Sequence, residues 1–379
     1  MNCKKIKVEG FRNIENAELD FSPGVNILLG NNAQGKTNLL EAIYYTALCR
    51  SFRQGSDRDL IGFGREIAKI SNTYADGIRD NVIDVTLYSD RRQRRIEQNG
   101  LRVSKMSEMV GEFKVVLFCP EHLSIVKEGP SMRRGFLDVA ISQIRPLYIR
   151  SLQRYQTNLK ERNSLIKDAE ENRSAFDSTV DVFSQQLALE AAKITRYRVE
   201  YLSRLRTYVS DIFSDMTGKR EEPSFRYVSS CKLDESLLCD ERAVCEAYLE
   251  LYNTRHEREI AAGATLWGIH KDDIEIELNG HSARIFCSQG QQRSLSLAMK
   301  LAEGEIIKRE CGGEYPVFLL DDVLSELDTQ RRRYLVSNLF DKQVIMTACE
   351  SVDIGEANII RVEGGRYFKD QVADQGARS

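Results

Sequence analysis

Short alternating and apolar runs dominate both ends of the chain. Apolar and polar residues alternate over residues 4–8 and 17–21, whereas residues 25–29 form a continuous apolar run typical of a buried strand. A helix is predicted from about Lys36. Further strand-like runs occupy residues 82–88, 114–118, 274–278, 317–320, 344–346 and 359–362. Both ends therefore predict α/β structure.

The middle of the chain has a different pattern. Neither Gly nor Pro, the two strongest helix breakers, occurs between Leu147 and Thr217. Between Phe176 and Met216, apolar and aromatic residues recur every three or four positions, with a mean step of about 3.6 residues, which fits a straight packed helix better than a heptad supercoil. A second helical stretch is predicted over residues 236–262. The pattern divides the chain into an α/β head, residues 1–130 and 263–379, and an inserted helical lobe, residues 131–262.

Composition narrows the classes of protein to consider. The 379 residues carry 54 Lys and Arg against 57 Asp and Glu, a formal net charge of −3, so any surface for nucleic acid must be local. No apolar run approaches the roughly 18 residues of a membrane span, and the N-terminus lacks a signal-peptide core, so we expect a cytoplasmic protein without a membrane partner. The nine cysteines and four histidines show no metal-binding spacing. We therefore expect any metal to be bound by oxygen.

A phosphate-binding loop follows the apolar run at residues 25–29. The residues that fit the pattern G-x-x-x-x-G-K-[ST] are Gly30, Asn31, Asn32, Ala33, Gln34, Gly35, Lys36 and Thr37, and Asn38 extends the predicted nucleotide-binding set. Backbone N–H groups and a helix N-terminus point at phosphate oxygens in such loops. We expect Lys36 to reach the β- and γ-phosphates and Thr37 to bind Mg²⁺. An ordinary Gly-rich turn is the alternative, and the strand-to-helix context disfavours it.

Two carboxylates end a second apolar strand. Asp321 and Asp322 follow residues 317–320, and a carboxylate beside a phosphate loop can hold Mg²⁺, a role that suits Asp321. Asp322 can polarise the attacking water, which makes Asp322 and Lys36 the predicted catalytic residues. Apolar strands often end in a solvated Asp, so the two aspartates alone are weak evidence for a metal site. The phosphate loop in the same chain makes that interpretation strong.

A third segment precedes this acidic strand. Its predicted nucleotide contacts are Ser288, Gln289, Gly290, Gln291 and Gln292. A small hydroxyl, a Gly and amides at a helix N-terminus can bind an anion, although a plain helix cap fits equally well by itself. Its place between the phosphate loop and the acidic strand is typical of ABC-type ATPases, in which this segment is the signature.

The motifs together resemble the RecF family of the ABC/SMC ATPase class. The segments that carry the resemblance are Gly10-Phe11-Arg12-Asn13, the phosphate loop, Ser51-Phe52-Arg53, Phe118-Cys119-Pro120-Glu121-His122-Leu123, Arg133-Arg134-Gly135-Phe136-Leu137-Asp138, Ser288 to Arg293, and Asp321 to Asp328. The chain departs from the family pattern at Ala33, His122, Ile269 and Lys271. At Ala33, where many such loops have Gly, the methyl group is tolerated only with a negative φ or mild strain.

The resemblance implies a fold and a function. The fold is an ABC-type P-loop ATPase head, a Rossmann-like core with an antiparallel β subdomain, plus an inserted α-helical lobe. The function is slow, DNA-stimulated ATP hydrolysis in recombinational DNA repair and replication restart. ATP would drive homodimer formation, with the phosphate loop of one subunit facing residues 288–292 of the other. The family works with RecR and RecO at single-strand gaps and helps RecA to load there.

Two basic clusters are candidate DNA surfaces. Residues 131–167 contain Arg133, Arg134, Arg145, Arg150, Arg154, Lys160, Arg162 and Lys167 against Asp138 and Glu161. Residues 91–95 contain four arginines. Each could instead be a solvated helix face or hairpin turn; if they bind DNA, we expect sequence-independent phosphate contact with duplex and gapped DNA. Thr347 and Glu350 are candidates for the switch that senses the γ-phosphate.

Other classes of protein fit less well. The motor of an ABC transporter is the main alternative, but such subunits keep the signature close to the phosphate loop, and here a long helical segment intervenes. A GTPase would need an N-K-x-D motif, which the sequence lacks. A structural role without nucleotide is disfavoured by the intact Lys36, Asp321 and Asp322.

Overall fold

The computed structural model describes residues 1–90, 94–218, 221–350 and 356–369. The chain forms two compact units: unit 1 comprises Met1–His122 and Ile307–Ser379, and unit 2 comprises Leu123–Ile306. Within the described ranges, no helix is both long and apolar enough to span a membrane.

Strands and helices alternate along most of the chain. The strands are β1 Asn2–Phe11, β2 Ile14–Asp20, β3 Val25–Leu29, β4 Ile67–Ala75, β5 Asp80–Tyr88, β6 Arg95–Gln98, β7 Leu101–Arg102, β8 Val115–Phe118, β9 Pro223–Val228, β10 Asp273–Leu278, β11 His281–Ser282, β12 Val317–Leu320, β13 Val344–Ala348, β14 Ala357–Glu363 and β15 Arg366–Lys369. The helices are α1 Lys36–Leu48, α2 Met106–Met109, α3 Pro130–Ile144, α4 Pro146–Asp168, α5 Arg173–Thr217, α6 Glu241–Thr254, α7 His256–Ala262, α8 Ala283–Phe286, α9 Gln289–Glu310 and α10 Thr329–Leu339.

A mainly parallel sheet forms the core of unit 1. Its strand order is β15-β14-β3-β13-β12-β8; all neighbours are parallel except the antiparallel β14–β15 pair at one edge. β8, β12 and β13 are buried along their whole length, as expected for strands covered on both faces. Because β3, β12 and β13 are parallel neighbours in this part of the sheet, their C-terminal ends meet at one edge.

A second sheet of unit 1 is antiparallel, in the order β2-β1-β4-β5-β6-β7. Its inward-facing residues alternate with outward polar ones, as in β4, where Ala68, Ile70, Asn72 and Tyr74 are buried. α1 contacts β1, β4 and β5 of this sheet and β8 and β13 of the parallel sheet. A helix between two sheets must be apolar on nearly every side, and α1 is buried at eleven positions.

Unit 2 is mostly helical. α4 and α5 are extensively packed against each other, and α5, 45 residues long, also packs on α6 and β9. The predicted stripe along α5 is buried at most of its positions, whereas Phe183, Tyr197, Tyr208 and Ile212 are only partly buried. β9, β10 and β11 form a small antiparallel sheet in the same unit.

The compact units differ from the predicted head and lobe. Residues 123–130 and 263–306, assigned to the head by sequence pattern, lie in unit 2. Residues 273–278 join unit 2 because they pair with its other elements. Strand β10 hydrogen-bonds with β9 along its whole length, and Arg133 of α3 binds the Asp273 carboxylate of β10. As a functional division, the head and lobe remain a proposal.

Candidate nucleotide site

The phosphate loop occupies the turn between β3 and α1. Gly30 passes so close to β14 that a Cβ atom would collide with the carbonyl oxygen of Val362. Gly35, at the start of α1, has a φ of 107°, and its Cβ would lie 2.9 Å from the Asn13 Oδ1 atom. Gly30 is therefore required by the close approach of the β14 backbone, and Gly35 is required by its positive φ.

Ala33 lies at the tip of the loop with a φ of 63°. This value lies in the left-handed region. Of the two conformations expected for Ala33, a negative φ or a mildly strained backbone, the structure shows the strained one. A residue with a Cβ pays roughly 1–2 kcal/mol there relative to Gly. The side chain is exposed, which limits the cost to the backbone.

Lys36 lies in the cradle of the loop and is only 7% exposed. Its ammonium group donates to the carbonyl oxygens of Gly30 and Asn31, the latter at 2.8 Å, and lies 3.6 Å from the Cys349 Sγ atom. The thiol of Cys349 in turn donates to Asn32 Oδ1 at 2.9 Å. The ammonium group of Lys36 thus lies inside the loop. There a phosphate oxygen could replace the two carbonyl oxygens as its hydrogen-bond acceptor.

The acidic strand meets the phosphate loop through Thr37. The Thr37 hydroxyl donates to Asp321 Oδ1 at 2.7 Å, and the Thr347 hydroxyl donates to the same oxygen at 3.1 Å. Burial raises the pKa of Asp321, a shift that the two hydroxyl hydrogen bonds oppose. The backbone N–H of Asp322 donates to the Thr347 hydroxyl oxygen at 2.9 Å. The structure therefore brings together three sequence segments predicted separately.

Asp322 has the same kind of unusual backbone as Ala33. Its φ of 49° turns the chain out of β12, and its side chain is exposed. It lines a hollow of about 160 Å³ together with Lys36, Thr37 and Thr347. Strained backbone at such a position is common where a side chain must be aimed at a ligand.

The residues around this hollow fit a magnesium nucleotide. Residues 32–38 of the loop line it, Lys36 among them supplies a cation, and the N-terminus of α1 opens into it. Thr37 and Asp321 offer a hydroxyl and a carboxylate oxygen 2.7 Å apart, the hard oxygen donors that Mg²⁺ prefers. Thr37 and Asp321 would hold the metal ion.

A buried carboxylate that the sequence analysis did not single out supports the mouth of the hollow. Glu41 of α1 is fully buried and accepts from Arg12 at 2.8 and 3.0 Å, from Arg53 at 3.4 Å and from the Ser51 hydroxyl. Arg53, which lines the hollow, also donates to Asn38 Oδ1 at 2.8 Å. Arg12, Ser51 and Arg53 all belong to segments that carry the family resemblance. That resemblance is the sequence feature that points to these partners of Glu41.

The turn between β14 and β15 braces the loop from the other side. The N–H of Gly365 donates to the Gln34 carbonyl oxygen at 3.0 Å, and the Gln34 side chain accepts from the N–H of Gly364. The Tyr367 hydroxyl donates to the Gly35 carbonyl oxygen at 3.0 Å. These contacts fix the loop before any ligand binds.

The signature segment lies in unit 2, at the start of α9. Ser288 and Gln291 form a reciprocal cap: the Ser288 hydroxyl accepts from the Gln291 N–H at 3.2 Å, and Gln291 Oε1 accepts from the Ser288 N–H at 2.8 Å. Ser288 and Gln289 are exposed, and Gly290 and Gln291 are partly exposed. Gln292 is buried, and its amide donates to the carbonyls of Ala283 and Arg284, both at 3.1 Å. The Gln292 side chain thus connects α9 to α8, a role that the sequence did not predict.

The larger basic cluster is partly consumed by internal ion pairs. Arg133 and Arg162 are buried and bind Asp273 and Glu259, and Arg134 donates to the Asp272 carbonyl oxygen. The buried Arg133 and Arg162 are therefore unavailable to DNA, because their donors face protein acceptors, whereas Arg134 is only half-buried. The exposed members are Arg150, Arg154, Lys160 and Lys167. Of the second cluster, residues 91–93 lie outside the described residues, and Arg94 binds Asp57.

Comparison with known proteins identifies the family. The model of the RecF/RecN/SMC N-terminal domain matches residues 2–362. A relative from Staphylococcus carnosus, named DNA replication and repair protein RecF, is 39% identical over 97% of this chain and 100% of its own length. The chain belongs to the RecF family.

Solved structures agree with this assignment to the RecF family. A structure described as the recombination mediator protein RecF-ATPrS in RecFOR pathway has a TM-score of 0.91 and 33% identity, with 97% of this chain and 98% of that chain covered. An Smc head bound to the C-winged helix domain of ScpA has a TM-score of 0.55 at 16% identity, covering 98% and 97% of the two chains, and supports the fold alone. The predicted fold class is an ABC-type P-loop ATPase head, a Rossmann-like core with an antiparallel β subdomain, plus an inserted α-helical lobe. It is confirmed, since the structure matches RecF and SMC heads and combines α/β structure with an antiparallel sheet and helices.

Proposed function

We propose that this chain is a DNA-binding ATPase of recombinational DNA repair and replication restart. ATP drives two copies together on DNA, hydrolysis is slow and stimulated by DNA, and the nucleotide is bound with Mg²⁺. In this proposal it acts with RecR and RecO at single-strand gaps, where it helps RecA to load. Membership of the RecF family and its likeness to an ATP-analogue-bound RecF structure support the proposal.

One observation carries the nucleotide part of this proposal. The Thr37 hydroxyl and the Asp321 carboxylate, far apart in sequence, are 2.7 Å apart at the joined ends of the phosphate loop and β12. A buried carboxylate costs free energy unless it is paired or hydrogen-bonded, and two hydroxyls donate to the Asp321 carboxylate. Together Thr37 and Asp321 offer a hard cation two oxygen ligands beside the phosphate loop.

The residues of the hollow have different roles in ATP hydrolysis. Lys36 and the loop N–H groups bind the β- and γ-phosphates in the ground state. When bound, Mg²⁺ supplies charge that neutralises the phosphate oxygens. The exposed Asp322 carboxylate accepts a hydrogen bond from water and orients it for attack on phosphorus. The Thr347 hydroxyl donates to the Asp321 carboxylate and accepts from the backbone N–H of Asp322, so it positions Asp321 and the backbone that carries the Asp322 side chain.

The second nucleotide contact comes from another copy. Ser288 and Gln289 are exposed at the N-terminus of α9, where backbone N–H groups can bind a γ-phosphate. An isologous dimer would complete two sites at once, because each copy gives its signature and receives that of its partner. The exposed basic residues of α4 would then face DNA, a phosphate-directed and sequence-independent contact.

Sedimentation of the purified chain tests the proposal. We expect a monomer without nucleotide or with ADP, a dimer with ATP, and co-sedimentation with duplex DNA in the ATP condition. Lys36→Ala serves as the control that should stay monomeric with ATP. A chain whose mass and DNA binding are indifferent to ATP would contradict the proposal.

A further inference from the structure

A carboxylate of unit 2 lies beside the signature segment. The Gln291 side-chain amide, in the first turn of α9, donates a hydrogen bond to Glu221 Oε1. Glu221 is partly buried and lies two residues before β9. Burial and, to a smaller extent, the Glu221 charge raise the pKa of the thiol of Cys287, the residue before Ser288. Both observations place this negative charge near the start of α9.

The small antiparallel sheet of unit 2 anchors the chain around Glu221. The backbone N–H of Glu222 donates to Asn279 Oδ1 at 2.8 Å, and the N–H of Asn279 donates to the Glu222 carbonyl oxygen at 3.0 Å. The next residue, Pro223, begins β9, which pairs with β10. After β10, the chain continues through β11 and α8 into the signature segment. The same sheet therefore positions Glu221 and the signature segment.

The Glu221 carboxylate is close to the residue that the proposed dimer uses. Gln291 Oε1 accepts from the Ser288 N–H at 2.8 Å, while the nitrogen of the same amide donates to Glu221. Because the oxygen and nitrogen of an amide are bonded to one carbon, the Glu221 oxygen lies within about 8 Å of the Ser288 nitrogen. The screening length at physiological salt is also about 8 Å, so the charge of Glu221 acts at Ser288.

The hydrogen bond from Gln291 does not neutralise Glu221. An amide N–H is a neutral donor, so the carboxylate keeps its negative charge. In a single copy this charge is favourable, because the N-terminus of α9 carries a partial positive charge. A phosphate that a second copy brings to the same N-terminus is also negative, and like charges repel each other. Glu221 therefore stabilises the separate copy relative to the dimer.

We propose that Glu221 opposes ATP-driven dimer formation by electrostatic repulsion of the γ-phosphate that a second copy presents to Ser288. This inference rests on the proposed function, which places Ser288 at the nucleotide of that copy. In an isologous dimer the repulsion occurs twice, once at each site. Glu221 thus raises the ATP concentration that dimer formation requires, since ATP binding and dimer formation are linked.

Removal of the charge alone tests this inference. Glu221→Gln keeps a side-chain oxygen that can accept from Gln291 but carries no charge, so the Kd of its ATP-dependent dimer at low salt should be at least about threefold lower than that of wild type. Monomers should bind a fluorescent ATP analogue within about twofold of wild type, because Lys36 and the phosphate loop are unchanged. Glu222→Gln makes the same chemical change at the exposed neighbouring residue and is the matched control, with a dimer Kd within about twofold of wild type.

The salt dependence of the dimer Kd separates repulsion from a structural role. Analytical ultracentrifugation in saturating ATP should show that the difference between wild type and Glu221→Gln shrinks as salt rises, because ions screen the repulsion. A difference that stays constant up to high salt would overturn the inference.

Three other outcomes would also overturn it. Equal Kd values for wild type and Glu221→Gln would exclude repulsion, and weaker dimers of Glu221→Ala would then show that Glu221 only positions Gln291. Equal tightening by Glu222→Gln would show that the dimer responds to net charge. Both outcomes would leave the proposed function intact. Failure of wild type to dimerise with ATP would overturn the proposed function and this inference with it.

Discussion

At the scale of single residues, two neighbouring aspartates at the end of β12 have opposite environments. Asp321 is 8% exposed and accepts from the hydroxyls of Thr37 and Thr347. Asp322 is exposed, turned outward by a left-handed backbone, and lines the hollow. A buried carboxylate with a fixed orientation is suited to binding a cation, whereas an exposed carboxylate can accept a hydrogen bond from water.

Lys36→Ala and Asp322→Asn should separate binding from chemistry. Lys36 interacts with phosphate in the ground state, so its loss should weaken ATP binding by at least about tenfold. Asp322 matters mainly in the transition state, so its amide variant should bind ATP within about threefold of wild type and lose at least about 100-fold in turnover. Fluorescent nucleotide binding and phosphate release measure the two effects. Wild-type turnover by Asp322→Asn would refute its assigned role.

Asp321→Asn should stabilise the chain without nucleotide at neutral pH. Burial raises the Asp321 pKa above its ordinary 3.8, so between the two pKa values the folded chain binds more protons than the unfolded chain. The resulting stability cost grows as pH rises through this window and is complete above the folded-state pKa. The asparagine variant lacks this cost, so its Tm should exceed that of wild type near pH 7, and the difference should shrink as pH falls toward 4.

The neighbouring carboxylate provides the control for that pH series. Asp322→Asn removes an exposed charge and should leave the Tm near that of wild type. With Mg²⁺ and ATP present, the ligand should raise the wild-type Tm more than that of Asp321→Asn, because the stabilisation grows with the logarithm of the ligand concentration divided by its Kd. A Tm of Asp321→Asn below wild type across the whole pH range would contradict the predicted cost of burial.

At the scale of elements, the sequence predicts strands best where burial is complete. The predicted bounds of β3 and β12 match the structure, because both strands are continuous apolar runs next to a motif of fixed geometry. β4, β6, β7, β9, β11 and β15 are missing from the predictions. β4 buries the polar Asn72 among its inward residues, which interrupts its apolar alternation. β9 does alternate, but only Phe225 and Tyr227 mark its inward face.

Packing among the helices of unit 2 depends on a buried ion pair that no local pattern reveals. Arg162 of α4 and Glu259 of α7 are both fully buried and bind at 2.5 Å. Arg162 also donates to Thr265 at 2.9 Å and to Ser184 at 3.0 Å, and its guanidinium lies 4.5 Å from the Tyr252 ring centroid. A charge count cannot find such a pair, because its partners are distant in sequence.

Glu259→Gln should destabilise the chain by about 3–5 kcal/mol, because it leaves the Arg162 charge buried without a counter-charge. Urea unfolding followed by circular dichroism measures the change. The matched control is Glu246→Gln on α6, which removes an exposed partner of Arg242 and should cost less than about 0.5 kcal/mol. Similar losses in the two variants would show that burial does not control the effect.

At the scale of the whole molecule, the net charge of −3 hides local charge of both signs. The sequence correctly gathers basic residues on α3 and α4 but cannot say which are used internally. Arg133 and Arg162 have acidic partners more than ninety positions away in sequence, in β10 and α7. Arg150 and Arg154 on α4 are exposed to solvent, where a phosphate backbone could reach them, although Arg154 also lies 3.6 Å from Glu190.

Arg150→Glu with Arg154→Glu should weaken DNA binding in ATP at low salt. Each lost phosphate contact should reduce the slope of log affinity against log salt by about 1, so the pair should reduce it by about 2. The control is Arg226→Glu with Arg242→Glu, which reverses two other exposed charges of unit 2 (62% and 86% side-chain exposure). A salt titration of fluorescence anisotropy measures the slopes. Equal slopes in wild type and the α4 variant would move the DNA surface elsewhere.

Ser288→Arg should separate nucleotide binding from assembly. In the proposed dimer, Ser288 approaches the nucleotide of the second copy, so a long side chain at the capped N-terminus of α9 would keep the two copies apart. Monomers should still bind ATP within about threefold of wild type, because Lys36 and the loop N–H groups belong to unit 1.

Ser288→Ala is the conservative control for this change. It removes the cap hydroxyl, at a cost of about 1 kcal/mol to the helix, but adds no bulk. It should therefore still dimerise when the ATP concentration is saturating, whereas Ser288→Arg should neither dimerise nor hydrolyse ATP. Turnover per chain should rise with protein concentration in wild type, since ATP binding and dimer formation are linked. A specific rate that stays constant over a wide dilution series, with monomers at every point, would show that each copy hydrolyses ATP alone.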